Sequence, residues 1–417
     1  MIHDLENGQI VRCQICLSPD LKLVLDLGFH APCDSLLTTE QLKEPEKTYP
    51  LRLVYCKNCS LSQIDYIVPP EVLFHKEYPY LSGITETLKN NLMSISDKLV
   101  DRLNLKPSDL VIDIGSNDGT ILQGFKNKGI RVLGVEPTNI ANIAIQNGID
   151  TLNEFFSEEV AKKILYGYGK ASLIVGANVF AHVSSLGSLL RGVNLLLKEN
   201  GVFLNESHYL MDILDAVQYD SIYHEHLRFY SIKSMKGLMQ YYKLNVYDVE
   251  RIPNYGGSIR CYSQKGTSHF ETDDLKKLET LENARKINDL QSFEILKNKT
   301  EQSKFDLMTL LYNIKGEQKT IVGIGCPGRS ITLLNYCGID TSLLPYIAEQ
   351  STSLKLGLFT PGSHIPIIDE ERMFQEQPDY VLLLSWHYSE PIIKKLRQKG
   401  LRSKIILPLP DVKIIET

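Results

Sequence analysis

The middle of the chain alternates short apolar runs with longer segments in which apolar residues recur at helical spacing. The apolar runs have the length and composition of buried strands, and they occupy residues 110–114, 131–135, 172–177 and 201–206. Strands that alternate with helices are typical of parallel sheets, because each helix carries the chain back across the sheet. The pattern therefore predicts an α/β fold, with a largely parallel sheet and helices on both faces.

The segments on either side of this region have other patterns. Residues 1–66 contain turns and strand-like runs such as 21–27, and a helix-forming stretch follows at 70–105. Charged residues dominate 271–316, where apolar residues at helical spacing predict long helices. A second α/β unit begins at Thr320. Its further strands are predicted at 344–347, 380–384 and 404–407.

Length, charge and composition limit the functions open to this chain. Its 417 residues suffice for two or three domains, and its hydrophobic content of 43% is ordinary for a globular protein. A net charge of -5 offers no positive field for nucleic acid or for an anionic membrane. The first residues show no signal peptide, and no apolar run approaches ~18 residues. We therefore expect a cytoplasmic protein that binds neither nucleic acid nor membranes.

Four of the eight cysteines fall into two Cys-x-x-Cys pairs, Cys13 with Cys16 and Cys56 with Cys59. Each pair places two thiolates on one tight turn, and two such turns complete a tetrahedral zinc site with bonds of ~2.3 Å. Four sulfur ligands leave no open coordination position, so the predicted zinc is structural. Disulfide bonds and a chance spacing are the alternatives. The remaining cysteines are interpreted as small buried hydrophobic residues: Cys33, Cys261, Cys326 and Cys337.

Residues 111–120 join an apolar strand to a glycine turn and the start of a helix. The glycines, Gly115 and Gly119, are four positions apart and do not form the GxGxxG spacing that brings bare amides to a pyrophosphate. The next strand ends on Glu136, where a carboxylate can accept hydrogen bonds from both hydroxyls of a ribose. S-adenosylmethionine carries a ribose but no phosphate, and a polar loop such as 116–118 suits it. The sequence therefore predicts a methyl-donor site.

The densest group of reactive side chains is the segment Tyr223-His-Glu-His-Leu-Arg228. A histidine can remove a proton near neutral pH, so a general base in this segment is the favoured interpretation. A metal site formed by the two histidines and a purely structural role for them are the alternatives.

Asn178 and His182 follow the predicted strand 172–177. In an open parallel sheet, ligands bind beyond the carboxyl ends of the strands, so both side chains are placed to reach the donor or the acceptor. His182 is interpreted as a site residue. For Asn178, capping of a helix is an equal alternative.

Two further glycine motifs are less specific. Tyr255-Gly-Gly-Ser-Ile-Arg260 couples a flexible turn to a guanidinium that suits phosphate, although a plain hairpin turn also explains its glycines. Residues 323–328 match GxGxxG after a strand, and Arg329 follows them. We identify no acid at the end of the next predicted strand. A nucleotide or phosphate cradle therefore fits as well as NAD, and a turn without a ligand is the third interpretation.

In their order along nearly the whole chain, these motifs resemble the sugar C-methyltransferases of deoxysugar biosynthesis, which add a branch methyl to a nucleotide-linked keto sugar. The resemblance rests on the two cysteine pairs and on residues 74–82, 113–119, 178–182, 223–226, 256–260, 323–329, 334–336 and 361–367. It implies a zinc-binding domain at 1–66 and a Rossmann-like S-adenosylmethionine-dependent methyltransferase core at 67–295. It also implies a C-terminal Rossmann-like α/β domain at 296–417 that contributes to nucleotide-sugar binding.

The resemblance implies roles for individual residues. His226 is the base, and the other catalytic residues are Tyr223, Glu225, His182 and Tyr78. The residues implied in binding the donor are Asp113, Gly115, Ser116, Asn117, Asp118, Gly119, Glu136 and Asn178. The residues implied in binding the substrate are Tyr80, His224, Arg260, Arg329 and Asn335.

Some positions depart from the family pattern. Tyr255 stands where a histidine often precedes the glycine turn, and His387 stands where an asparagine is common. Arg329 replaces a lysine, and Cys33-Asp34 replaces Ala-Asn. These departures bear on the identity of the substrate more than on the reaction.

The implied reaction is methylation at C3 of a 4-keto-6-deoxy sugar linked to dTDP or GDP. The ketone acidifies the hydrogen at C3, the histidine removes it, and the enolate takes the methyl group of S-adenosylmethionine. A monomer is expected. The rival functions are an O- or N-methyltransferase acting on a nucleotide sugar, an NAD-linked sugar oxidoreductase that uses residues 323–328, and a non-catalytic nucleotide-sugar sensor or scaffold.

Overall fold

The computed structural model describes residues 5–73, 86–266 and 270–416. The strands before the central region are β1 (Gly8–Gln9), β2 (Leu21–His30), β3 (Tyr49–Cys56), β4 (Ser62–Ile64) and β5 (Tyr66–Ile67). The central strands are β6 (Leu110–Ile114), β7 (Arg131–Val135), β8 (Thr151–Leu152), β9 (Ala171–Ala177), β10 (Leu197–His208), β11 (Arg228–Phe229), β12 (Leu244–Ile252) and β13 (Ser258–Lys265). The last strands are β14 (Ile321–Ile324), β15 (Ile347–Glu349), β16 (Ile367–Asp369), β17 (Tyr380–Leu383), β18 (Lys404–Leu407) and β19 (Lys413–Ile415).

The helices lie between these strands. Those before β10 are α1 (Pro70–Leu73), α2 (Glu86–Leu103), α3 (Thr120–Asn127), α4 (Ala141–Gln146), α5 (Glu158–Tyr168) and α6 (Leu186–Leu196). Those after β10 are α7 (Leu210–Asp215), α8 (Ile232–Tyr241), α9 (Asp273–Ala284), α10 (Leu290–Gly316), α11 (Gly328–Cys337), α12 (Glu370–Glu376) and α13 (Ser389–Gln398). The long helices predicted for the charged stretch are α9 and α10. None of the helices within the described ranges is long and apolar enough to cross a membrane.

The central sheet has seven strands in the order β12-β13-β10-β9-β6-β7-β8. The five strands from β10 to β8 are parallel, and β13 pairs antiparallel with both β10 and β12. Both faces are buried, because Ile112 and Ile174 pack into one apolar cluster while Val111 and Leu173 pack into another on the opposite face. The prediction of a largely parallel α/β sheet covered on both faces is confirmed.

A four-stranded antiparallel sheet, in the order β11-β4-β3-β2, forms most of the N-terminal region. Its edge strand β11 comes from the centre of the chain, immediately after the histidine segment, and pairs with β4. The amide of Ile64 also donates to the carbonyl of Leu227, at 3.1 Å. The N-terminal sheet therefore holds the histidine segment in place.

The last part of the chain forms a six-stranded sheet in the order β16-β15-β14-β17-β18-β19, parallel except for β19. This is the second α/β unit that the sequence predicts. The strand expected at 344–347 begins three residues later, because Leu344 belongs to the buried turn that precedes β15. One continuous apolar cluster joins the three sheets, through residues such as Leu53, Ile112 and Ile347.

Candidate functional site

The four paired cysteines converge on one point of the N-terminal region. Their sulfur atoms all lie within 4.8 Å of one another, with 3.4 Å between Cys13 and Cys59 and 3.5 Å between Cys16 and Cys56. Four sulfurs bound tetrahedrally to zinc at ~2.3 Å are about 3.8 Å apart. The arrangement fits a zinc ion with four thiolate ligands, which leaves no position for a catalytic water.

The two cysteine turns have the same backbone geometry. The amide of Leu17 donates to the carbonyl of Cys13 at 3.0 Å, and the amide of Ser60 donates to that of Cys56 at 2.9 Å. Leu17 and Ser60 both adopt left-handed conformations, with φ of 60° and 63°. Each turn thus presents its two thiols toward the same side, as a shared metal ion requires.

The predicted donor loop follows β6 at the carboxyl edge of the central sheet. Gly115 and Gly119 have φ of +70° and +80°, which disfavour side chains. A Cβ atom at Gly115 would also lie 2.8 Å from the side chain of Val179. Ser116 packs against Gly134, and the carboxylate of Asp118 accepts from the amide and hydroxyl of Thr120 at the start of α3. A side chain at either glycine would therefore strain the loop.

Glu136 closes this loop from the end of β7. Its carboxylate accepts from the amide of Asn117 at 3.0 Å, and from the amide and hydroxyl of Thr138 at 3.0 and 2.7 Å. Burial, followed by the charges of Glu136 and Asp118, raises the pKa of Asp113 well above its usual range. The described residues provide no hydrogen-bond donor to the Asp113 carboxylate, which is 2% exposed. The glycine loop thus lies between two carboxyl groups, which offer hydrogen-bond acceptors to the amino and ribose groups of S-adenosylmethionine.

Asn178 follows the carboxyl end of β9, next to the donor loop. Its amide donates to the carbonyl of Glu206 at 2.8 Å, and its φ is +57°. The helix that follows, α6, begins after Ser185. Capping of a helix by Asn178 is therefore wrong, and the residue lies at the strand end where ligands bind.

His226 is the centre of a cluster of aromatic side chains beside this edge. Its Nδ1 lies 2.8 Å from the carbonyl oxygen of Ser221, which can only accept, so Nδ1 carries the proton and Nε2 carries the lone pair. The ring centroid lies 3.9 Å from that of Tyr223, 4.7 Å from His208 and 4.9 Å from His182. The imidazole thus has the tautomer that a general base at Nε2 needs.

Electrostatics keep these histidines neutral. Burial, together with the nearby His208 and His182, lowers the pKa of His226 well below its usual value. Burial likewise lowers the pKa of His182 to about 4 and that of His208 to about 3. Burial and the charge of Glu225 raise the pKa of Tyr223, so its phenol keeps a proton to donate. Nδ1 of His182 lies 3.9 Å from the Glu225 carboxylate. The cluster therefore offers a neutral base beside a neutral donor.

Two residues implied in substrate binding lie elsewhere. His224 packs on Tyr49 of the N-terminal sheet, and its Nε2 lies 3.2 Å from the carbonyl oxygen of Pro50. Arg260 is paired with Glu206 at 2.7 Å in the interior of the central sheet. The structure does not bring either side chain to the histidine cluster.

Among the described residues, the four cysteines are the one group placed to hold a metal ion, so the alternative of a histidine metal site has no support.

The glycine turn before Arg260 is a hairpin turn, as the plainer interpretation holds. It connects β12 to β13, and three successive residues have positive φ: Tyr255, Gly256 and Gly257. A Cβ atom at Gly257 would overlap the side chain of Asp212. The glycines are therefore required by the fold.

The remaining substrate-binding candidates have structural partners or lie outside the described residues. Arg329 forms a bidentate ion pair with Asp220, and the side-chain amide of Asn335 donates to the carbonyl of Pro361 at 3.2 Å. Tyr78 and Tyr80 fall in the range 74–85, outside the residues that the structure describes.

The second glycine loop has an acid that the sequence analysis missed. The carboxylate of Glu349, at the end of β15, accepts from the amides of Cys326 and Gln350 at 2.9 and 3.0 Å. Glu136 makes the same two kinds of contact in the donor loop. The conclusion that no acid ends this strand was wrong, because the predicted strand ended at residue 347, two residues before the observed end at Glu349. His208 was also missed, although its position at the end of β10 is the signal that identified Asn178.

Comparisons with known proteins agree with this architecture. Three family models match the chain: "Putative zinc binding domain" at residues 13–74, "Methyltransferase domain" at 85–249 and "C-methyltransferase C-terminal domain" at 253–410. The chain is 31% identical over 411 residues to the C-methyltransferase NovU of Streptomyces niveus, and the match covers 97% of each protein.

Solved methyltransferase structures also match part of the chain. One is an S-adenosylmethionine-dependent methyltransferase of Clostridium acetobutylicum, 14% identical, with a TM-score of 0.34 over 43% of this chain and 92% of that one. Another is from Anabaena variabilis, 16% identical, with a TM-score of 0.34 over 45% and 88%. On the full-length relative and the three domains, the chain belongs to the C-methyltransferase family, as an S-adenosylmethionine-dependent methyltransferase with an N-terminal zinc-binding domain.

Proposed function

We propose that the chain methylates C3 of a nucleotide-linked 4-keto-6-deoxy sugar, with His226 as the base that generates the enolate. The observation that carries this proposal is the tautomer of His226, whose Nδ1–H is committed to the Ser221 carbonyl at 2.8 Å. A neutral imidazole with its lone pair on Nε2 is the form that can remove a proton from carbon. Its place beside the carboxyl edge of the donor-binding sheet supports the assignment.

In the proposed proton transfer, residues of the histidine cluster accept the proton and stabilise the charge that forms on the sugar. Nε2 of His226 takes the C3 proton, and the electron pair of the broken C–H bond forms the enolate with the C4 ketone. The protonated phenol of Tyr223, or His182, donates a hydrogen bond to the enolate oxygen, worth about 2.7–4 kcal/mol in comparable oxyanion sites. Glu225 orients His182 or the sugar. S-adenosylmethionine supplies a methyl group activated by a positively charged sulfur.

Each of the two glycine loops is closed by a carboxylate, which supports separate binding sites for the methyl donor and for the nucleotide of the sugar. We assign Glu136 to the ribose of the donor and Glu349 to the nucleoside of the sugar, because both hold their loops through the same contacts. Lys355 adds a positive charge at the second loop, where its ammonium donates to the Cys326 carbonyl at 2.7 Å. Negative phosphates would lie favourably beside it.

The carboxylate assignment predicts that two matched substitutions weaken the binding of different ligands. Glu136→Gln places an amide where a carboxylate accepts, so we expect the Kd for S-adenosylmethionine to rise about tenfold, or about 1.4 kcal/mol. Glu349→Gln should leave this Kd unchanged and raise the KM for the nucleotide sugar. Calorimetry and steady-state kinetics on both variants measure the two effects. Equal effects of the two variants on donor binding would contradict the assignment.

The lowered pKa of His226 predicts how activity depends on pH. Only the neutral imidazole can act as the base, and its folded pKa lies below the ordinary ~6.5. Protonation therefore begins to remove activity only at a pH below that value, and kcat/KM should stay level from about pH 8 down to about 6.5. A pH–rate profile with samples returned to pH 7.5 as a control for zinc loss tests this. An acidic limb centred above 6.5 would contradict it.

The first experiment on the proposed function is intact-mass analysis, together with ¹H NMR of the C3 proton, of dTDP- and GDP-linked 4-keto-6-deoxy sugars incubated with the enzyme and S-adenosylmethionine in D₂O. Gain of one methyl together with loss of the C3 proton is the expected result. A methylated sugar that retains its C3 proton would instead identify an O- or N-methyltransferase. Binding of both ligands without any turnover would favour a sensor.

A further inference from the structure

A buried ion pair joins helix α11 of the C-terminal α/β unit to the core, near His226. Nε and Nη2 of Arg329 donate to the two carboxylate oxygens of Asp220 at 2.9 and 2.6 Å. The side chain of Arg329 is 8% exposed and that of Asp220 is 0% exposed. A two-point contact between planar groups fixes their relative orientation as well as their distance.

Other groups hold both members of this pair. The indole of Trp386 donates to Asp220 at 2.7 Å, and the Arg329 guanidinium lies 5.2 Å above the indole ring. Arg329 also donates to the side-chain oxygen of Gln218 at 3.0 Å and to the carbonyl of Tyr255 at 3.1 Å. Arg329 therefore binds protein groups of the core, whereas the resemblance implies that it binds the substrate.

Asp220 is the chain neighbour of Ser221, whose carbonyl orients His226. Asp220 precedes Ser221 in a 3₁₀ turn, and the Ser221 carbonyl accepts the Nδ1–H of His226 at 2.8 Å. Gln218 bonds the same turn, because its carbonyl accepts from the amide and hydroxyl of Ser221 at 3.0 and 2.7 Å. Displacement of Asp220 would move the carbonyl that sets the tautomer of His226.

We propose that Arg329, Asp220 and Trp386 are positioning residues that hold the Ser221 carbonyl, so that docking of the C-terminal α/β unit fixes the orientation and tautomer of His226. This inference rests on the proposed function of His226. The groups that face the imidazole are Tyr223, His182, His208 and Phe229 from the core, with the Arg329 charge beyond them. A base displaced by about 1 Å loses on the order of 100-fold in rate, so small shifts are measurable.

Two mild substitutions test the positioning role. Trp386→Phe removes the indole donor and keeps an aromatic ring, whereas Arg329→Lys keeps the charge and loses the two-point contact. The control is Tyr346→Phe, which removes a comparable 2.6 Å hydrogen bond to Glu376 of α12, within the same C-terminal α/β unit. All three variants are compared with the wild-type protein.

The first readout is the ¹⁵N spectrum of the histidine side chains, with His226 assigned by its absence in His226→Asn. We expect a single Nδ1–H tautomer in the wild-type protein and in Tyr346→Phe, and a tautomer mixture in Trp386→Phe and Arg329→Lys. The second readout is exchange of the C3 proton of dTDP- and GDP-linked 4-keto-6-deoxy sugars in D₂O. Exchange should fall about tenfold or more in the two test variants, with the Kd for S-adenosylhomocysteine within about twofold of wild type.

The outcomes separate the inference from the proposed function. An unchanged tautomer, or exchange within about twofold of wild type in both test variants, overturns the positioning role. A loss of exchange matched by a loss of donor affinity also overturns it, because that result indicates general loosening of the fold. Undiminished exchange in His226→Asn refutes the proposed base, whereas the tautomer measurement still reports on the role of Arg329 and Trp386.

Discussion

His226→Asn is expected to lower turnover by about 10²–10⁴-fold while it binds S-adenosylmethionine as the wild-type protein does. Asparagine can still donate a hydrogen bond to the Ser221 carbonyl, which lies 2.8 Å from Nδ1 of His226, but it has no basic nitrogen in the place of Nε2. The lost activity therefore reports the proton transfer itself. Single-turnover kinetics, with donor affinity from calorimetry, measure the two effects separately.

The matched control is His30→Asn in the N-terminal sheet. His30 is also buried, and its Nε2 lies 2.7 Å from the carbonyl oxygen of Leu27, so the substitution likewise replaces a buried imidazole that contacts a backbone carbonyl. It should leave turnover close to that of the wild-type protein. Near-normal turnover in His226→Asn, or an equal loss in both variants, would sink the assignment of the base.

Cys56→Ser is expected to abolish stable folding of the N-terminal sheet and the binding of zinc. Cys56 ends β3, a central strand of that sheet, and its sulfur is one of the four that converge within 4.8 Å. Structural zinc contributes ~10–16 kcal/mol in small zinc-binding peptides, which is comparable to the ~5–15 kcal/mol that stabilises a whole domain. Zinc content by atomic emission and protection from limited proteolysis are the measurements.

Cys337→Ser is the control for this prediction. Cys337 is equally buried but lies outside the zinc cluster, and its sulfur contacts the hydroxyl of Tyr219 at 3.6 Å, a partner that a serine can keep. This variant should retain zinc and a compact fold. A folded, zinc-free Cys56→Ser protein with low kcat would show that the metal acts on the chemistry and not on the fold.

The strands and the loop of the candidate donor site could be predicted from the sequence because their determinants are local. The bounds of β6 and β7 agree with the prediction, and the loop, its glycines and Glu136 lie within 27 residues of one another, from Leu110 to Glu136. Local hydrophobic runs and turn residues determine such a unit without distant contacts. The zinc site could be predicted for a similar reason, because the spacing within each cysteine pair itself indicates a metal site.

The candidate acceptor site was harder to predict from the sequence, because it depends on contacts between distant segments. Nothing in the local sequence distinguishes His224 from His226, and the choice between them is made where β11 pairs with β4. Arg329 was assigned to the substrate, and its protein partner Asp220 could not be identified because it lies 109 residues away. Glu349 was missed because the predicted strand ended two residues before the observed one, a small error that moved one carboxylate out of consideration.

Strand β11 also has a consequence for recombination between related enzymes. It belongs to the N-terminal sheet in space and to the core in the chain, so a cut near residue 66 separates β4 from the partner with which it evolved. A chimera that joins the zinc-binding region of one relative to the core of another would pair a foreign edge strand directly beside His226. Chimeras designed to exchange substrate preference should therefore fold more often when residues 228–229 are taken from the same relative as the N-terminal region.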